Sequence, residues 1–193
     1  MVLTVVKYGD PVLRKKGAKI EAITPEISQL IADMFETMKA SHGVGLAAQQ
    51  IGRALQLTVI DVRGVKDRPS QLWLAGQEAD VESFMPLVLV NPVVRPSGVR
   101  VSGPEGCLSF PDIFGPIERS AEVEVTARNE RGESYSFKAG GLLARAIQHE
   151  VDHLNGILFI DRMAIEARDD LRPEIDELQA ETKLAMAKAA ARR

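Results

Sequence analysis

The stretch QHEVDHLNG, residues 148–156, decides how this chain is read. It holds two of the three histidines, His149 and His153, with Glu150 directly after the first. On an α-helix turning roughly 100° per residue, positions four apart lie about 40° apart on one face, so the two imidazoles can converge on a single ion. Leu142, Arg145 and Ala146 share that face, while Leu143, Ile147, Val151 and Leu154 form a second apolar stripe opposite. A helix that is apolar on both sides is expected in the interior, with the rest of the domain packed around it. Buried imidazoles need polar partners there, and a metal ion is the most economical one. In H-E-x-x-H the glutamate projects beside the ligand pair, where it can reach a water on the ion and shuttle its proton. The same residues also fit a surface helix on which His149 and Glu150 are merely solvated.

The third ligand separates the metallohydrolase classes. The residues after His153, LNGILFIDRM, contain no further histidine, and the one other histidine is His42. Glu166, Asp169 and Asp170 lie downstream, in a charge-rich tail expected to be solvated. Cys107, in EGCLS (105–109), is the other candidate. A thiolate suits zinc or ferrous iron, and one Cys with two His leaves a fourth position for water. The alternative for a free cysteine is a small buried hydrophobe.

The remaining numbers narrow the class. A chain of 193 residues fits one domain with a real core, residues 1–193, ending in a helical tail from about 165. The net charge of −3 argues against direct DNA binding, which needs a basic surface. No apolar run approaches the roughly 18–20 residues of a membrane span. The opening MVLTVVKYGDPVLRKKG lacks the pattern of a signal peptide. A single cysteine excludes an internal disulfide and fits a reducing compartment, so the cytoplasm is expected.

Along the chain, VLTVVKY (2–8) reads as a strand, and 25–41 reads as a helix capped by Thr24 with Pro25 in its first turn. LTVIDV (57–62) is a strand. Residues 63–86 show no period and read as a long loop or insertion. LVLVNP (87–92) and VVRPSGVRVSG (93–103) read as strands broken by a Pro-Ser-Gly turn, and PEGCLSFPDIFGP (104–116) as loop. AEVEVTARNERGESYSFKA (121–139) alternates as a hairpin, 140–156 is a helix stopping near Gly156, and the tail is helical with Pro173 near a helix start. Strands segregated from helices give an α+β domain with mostly antiparallel sheet.

Three stretches in order, GVGLAAQQ (43–50), EGCLS and QHEVDH, resemble the signature motifs of the peptide deformylases, and the similarity extends over about residues 1–165. The resemblance implies an α+β fold, with antiparallel β-sheets packed around a central helix carrying HExxH and with a C-terminal helix. It implies a metal-dependent hydrolase that removes the N-formyl group from the formylmethionine of newly synthesised proteins and releases formate. It further implies Cys107, His149 and His153 as ligands of one Fe2+, with Zn2+, Ni2+ or Co2+ as substitutes. Glu150 would be the catalytic acid/base, and Gln50 with the backbone N–H of Leu108 would stabilise the oxyanion. Gly43, Val44, Gly45, Glu105, Leu142, Arg145 and Ala146 would contact substrate. Glu105 is also expected to pair with Arg119 and hold the cysteine loop. Asp152 has no evident chemical role. The implied partners are nascent formylmethionyl chains; separately, the tail cations Lys183, Lys188, Arg192 and Arg193 fit either a solvated helix end or a contact with a negatively charged partner such as the ribosome. The chain departs from the family pattern in a longer 63–86 segment and in having no basic residue within FPDIFGPIE (110–118). A zincin-like endopeptidase would need an acidic ligand downstream of His153. A non-catalytic metal or peptide-binding module would not need Glu150.

Overall fold

The computed structural model describes residues 1–192; Arg193 lies outside the described residues. Helix α1 (Pro25–Ala40) precedes strands β1 (Gly45–Ala47) and β2 (Leu57–Ile60), the hairpin β3 (Ser70–Leu74) and β4 (Gln77–Glu78), and one helical turn, α2 (Val81–Phe84). Two long strands follow, β5 (Leu87–Cys107) and β6 (Phe110–Arg128), then β7 (Ser134–Gly140), and finally α3 (Gly141–Leu154), α4 (Ile165–Asp170) and α5 (Arg172–Ala190). The strands join in the order β1-β2-β5-β6-β7-β3-β4, every pair antiparallel. This is the α+β architecture expected from the sequence.

Helix α3 is the axis of the molecule. Leu143, Ala144 and Ile147 are fully buried among Ile60, Leu72, Leu89 and Val123 of the sheet. Burying each such aliphatic side chain contributes about 1.5–3 kcal/mol. Polar bonds then fix the helix in position. Gln148 pairs with β6 as a strand would, its Oε1 accepting from Ser120 N at 3.1 Å and its Nε2 donating to Ser120 O at 2.9 Å. At its C-terminal end the Leu154 carbonyl accepts from the Gly17 N–H and from Gln56 Nε2, both at 2.9 Å. Helix α1 begins as expected, with Thr24 Oγ1 accepting from Ile27 N, and buries Leu30, Ile31, Met34 and Met38 against β1 and β2.

Strands β5 and β6, at 21 and 19 residues, far exceed the ordinary strand of about 5–6. They follow the core because they bend: the register shifts between Val90 and Val93, between Ser97 and Arg100, and between Gly106 and Cys107. The last shift sets Cys107 opposite Phe110, with Leu108 and Ser109 between them.

Four sequence expectations are corrected. The Pro-Ser-Gly turn is not a turn, and 104–116 is not a loop: β5 runs continuously to Cys107 and pairs with β6, Pro96 lying opposite Val123 and Pro104 opposite Pro116. Beyond Val90 the strand has β6 on one side alone, since β2 pairs only with Leu87–Val90, and proline is tolerated on such an edge. Residues 63–86 are not structureless. They form β3, β4 and α2, with β3 pairing to β7 and Leu72 fully buried. Residues 2–8 are extended but form no strand, because their N–H groups go to different elements: Leu3 to Thr37 Oγ1, Val6 to Gln50 O and Tyr8 to Ser109 O. The tail is helical as expected. In α5 only Ile175 is buried, packed near Phe110 and Phe159. Among the described residues no helix is long and apolar enough to cross a membrane.

Candidate metal centre and active site

Two elements meet at the site. Helix α3 supplies His149 and His153 one turn apart, with ring centroids 5.0 Å from each other. The end of β5 brings Cys107, whose Sγ lies 3.3 Å from His153 Nε2. The sulfur and one nitrogen from each ring all fall within 4.8 Å of one another. The acids Glu166, Asp169 and Asp170 are exposed on α4, outside this group, so a downstream acidic ligand does not complete the centre.

The surroundings fix which ring atom faces inward. Glu105 Oε2 lies 2.9 Å from His149 Nδ1, which leaves Nε2 of that ring for a ligand. Glu105 Oε1 accepts from Arg119 Nε at 2.8 Å and from Arg145 Nη1 at 2.9 Å, and Arg119 Nη2 donates to Oε2 at 2.9 Å. Burial alone would raise the Glu105 carboxyl; Arg119 and His149 overcome it and hold the group well below the usual carboxylate range. Burial likewise pulls His149 down, but Cys107 and Glu105 hold it above the ordinary histidine value. His153, desolvated and facing His149, is pushed below it.

The expected Glu105–Arg119 pair is therefore present, and it continues further than anticipated. Arg119 Nη1 donates to Asp152 Oδ2 at 2.5 Å, and Arg162 Nη2 donates to Asp152 Oδ1 at 2.7 Å. Asp152, three residues from His149 on the same helix, thus anchors the network that orients that ring. Two placements differ from expectation. Glu105, grouped with the substrate contacts, has both oxygens engaged by Arg119, Arg145 and His149. Arg145 borders the cleft, but its guanidinium is engaged by Glu105 and by the carbonyls of Ile117 and Val101.

Glu150, next to His149 on α3, is buried, and its Oε2 has no hydrogen-bond partner among the described residues. Burial, reinforced by Glu105 and opposed by His149, pushes its carboxyl up to about 7. Gln50 also reaches the sulfur. Its Oε1 accepts from Ala47 N at 2.9 Å, which points Nε2 at Cys107 Sγ, 3.5 Å away, and at Ser109 Oγ, 3.4 Å away. A thiol, two imidazoles and an unpartnered buried carboxylate oxygen fit a soft-to-borderline divalent cation carrying a water: the ion would satisfy the first three groups and its water the fourth. His153 Nδ1 is also buried and unpartnered.

A cavity of about 550 Å³ opens over this centre. Of the residues that the resemblance assigns as ligands, acid/base, oxyanion donors or substrate contacts, all border it except His153, which is buried. Gly43, Val44 and Gly45, Leu108, and Leu142 and Ala146 of α3 line it, with Gly43 packed against the Leu108 side chain. Phe110, Phe114, Lys7 and Arg68 also border it and carried no signal in the sequence. They come from segments whose structure is fixed by distant partners.

The polypeptide deformylase family model matches residues 2–169. The chain belongs to the polypeptide deformylase family. This deformylase is 44% identical over 179 residues to the peptide deformylase of Methylacidiphilum infernorum, covering 93% of this chain and 94% of that one. It is 43% identical to the enzyme of Opitutus terrae, covering 96% and 97%. Among solved structures, a plant peptide deformylase superposes with a TM-score of 0.83 at 34% identity, covering 96% of this chain and 93% of the other. The Legionella pneumophila peptide deformylase superposes at 0.77 with 33% identity, covering 100% and 99%. The chain is accordingly a metal-dependent hydrolase of protein biosynthesis, which removes the N-formyl group from the N-terminal formylmethionine of new polypeptides.

Proposed function

We propose that Cys107, His149 and His153 of this deformylase hold one divalent cation, Fe2+ in the cell, and that Glu150 is the acid/base. The observation that carries this assignment is the convergence of those three donors within 4.8 Å beside a buried carboxylate oxygen with no partner. When bound, a cation of this kind lowers the pKa of a coordinated water toward neutrality and polarises a carbonyl oxygen.

The chain's own residues do the rest. Strand β1 is an edge of the sheet, so an extended peptide can pair with its free side. Val44, Leu142 and Ala146 offer the apolar surface for the methionine side chain. Glu150 takes a proton from the attacking water as its oxygen adds to the formyl carbon. The Gln50 amide and the Leu108 N–H donate to the oxygen that becomes negative; loss of one such donor commonly costs about 10²–10³ in rate. Glu150 returns the proton to the methionine nitrogen, the C–N bond breaks, and formate and a free amine leave. Glu105, Arg119 and Asp152 hold the His149 ring in place throughout.

The described chain serves this site as one domain. Its substrates arise in the cytoplasm, and the exposed cations Lys183, Lys188 and Arg192 of the tail face outward where a ribosome could meet them. Formate release from a formyl-Met peptide tests the assignment, using protein prepared without oxygen and Glu150→Ala beside it. The expected result is turnover by the wild type and loss of turnover, with metal retained, in the variant. No formate from the metal-loaded wild type rejects it.

A further inference from the structure

We propose that Arg68 is a specificity-determining residue: it reads negative charge on the part of the peptide that follows formylmethionine, so that acidic sequences there are favoured over basic ones. The inference rests on the proposed binding of peptide in the cleft and extends it to the residues beyond methionine.

Arg68 reaches the cleft because the segment around it is bonded to the ligand-bearing helix. Helix α3 starts at a glycine, Gly140 being its cap, and no side chain of its own satisfies the first N–H groups. The insertion does so instead. Pro69 O accepts from Leu142 N at 3.1 Å, and Ser70 Oγ accepts from Leu143 N at 3.0 Å. Ser70 also bridges to Gly141, whose φ of +62° suits glycine and whose missing Cβ would overlap the Pro69 carbonyl. From Gln71 onward the chain is locked into the sheet against β7. The backbone at Arg68 is therefore fixed one residue from the first turn of α3, and its side chain borders the same cavity as Leu142 and Ala146.

The other cations at this cavity are committed. Lys7 Nζ donates to the Leu108 carbonyl at 2.9 Å, and Arg145 is held by Glu105 and two carbonyls. Arg68 is exposed and has no ion pair or hydrogen bond among the described residues. The acids do not cancel it. Glu105 is neutralised by Arg119 and Arg145, and Glu150 is buried. Asp112, on the β6 wall, is the one exposed carboxylate bordering the cavity. An unpartnered guanidinium at a rim attracts carboxylates and repels ammonium groups, and it acts on binding more than on the chemical step.

The test compares kcat/KM for formyl-Met-Glu-Glu-Ser, formyl-Met-Ser-Ser-Ser and formyl-Met-Lys-Lys-Ser. The ratio of acidic to basic peptide is taken within each protein preparation, so partial misfolding cancels. The wild type is expected to favour the acidic peptide by about two- to fivefold at low salt, the range for exposed charge pairs, with the difference residing in KM. Near 1 M salt, where screening acts within about 3 Å, the ratio should approach one. Arg68→Ala should abolish the preference, Arg68→Glu invert it, Arg68→Lys largely preserve it, and Asp112→Asn increase it. A ratio unmoved by Arg68→Glu, or a wild type that favours the basic peptide, overturns the inference while leaving the deformylase intact. Absence of formate even from the serine peptide would instead remove the proposed function beneath it, and the inference with it.

Discussion

Gly45 and Glu150 share one small volume: a Cβ at Gly45 would lie 2.8 Å from both Cγ and Cδ of Glu150. The backbone of β1 and the proposed acid/base are therefore in direct contact, and closeness alone, with no positive φ, calls for glycine here. Gly45→Ala should push the carboxylate aside and lower kcat by about 10²-fold, the scale for a misplacement near 1 Å. Formate assays paired with metal analysis check this. Full metal content with low turnover is expected, whereas full turnover would show that Glu150 tolerates displacement.

Gln50 is aimed by its own backbone, with Oε1 held on Ala47 N and Nε2 directed at the sulfur. If Gln50 serves the developing oxyanion as proposed, Gln50→Leu should reduce kcat by about 10²–10³ with a smaller change in KM. Gln50→Glu should do no better, since it sets an acceptor where a donor is needed. Steady-state kinetics on a formyl-Met peptide distinguish this from a substrate-positioning role, which would appear mainly in KM.

Glu105 bonds both His149, a proposed metal ligand, and the buried Arg119. Glu105→Gln keeps the shape but removes the charge facing Arg119 and His149. Metal affinity should fall about 10–100-fold, as it does when the partner of a ligating histidine is lost. Removing one member of a buried ion pair costs about 3–5 kcal/mol, so urea unfolding should show a stability loss of that order. Unchanged stability and metal affinity would mean that the His149–Glu105–Arg119–Asp152 chain is not coupled.

The cap that the insertion places on α3 has its own signature. Ser70→Ala leaves the Leu143 N–H without its partner and should lower stability by about 1 kcal/mol, the usual cost of a lost cap. Thermal unfolding should register the loss, and hydrogen exchange at Leu143 should accelerate. No change in either would show that solvent serves the helix start equally well.

Much of this arrangement was legible in the sequence where local pattern and structure agree. The face shared by His149 and His153 and the two apolar stripes of α3 follow from helical spacing alone. The Thr24 cap and the hairpin of 121–139 were equally plain. The misread segments are those governed by partners far along the chain. VLTVVKY has the β-branched content of a strand, yet its N–H groups are divided among Thr37, Gln50 and Ser109. In 63–86 the strands span 5 and 2 residues, too short to show a period, and they are held by β7 and α3. The bend that carries Pro96 and Pro104 along β5 depends on an edge that only the assembled sheet defines. Asp152 and Arg68 remained unassigned for the same reason: their partners or positions come from tertiary contacts.

The central claim is that one sulfur and two imidazoles close on a single cation, and X-ray absorption at the zinc edge of the zinc-loaded protein tests it most directly. The predicted spectrum contains one sulfur at about 2.3 Å and two imidazole nitrogens at about 2.0–2.1 Å, with a lighter scatterer in the fourth position. Cys107→Ala should lose the sulfur shell. A wild-type spectrum of nitrogen and oxygen alone, with no sulfur at bonding distance, would contradict the account.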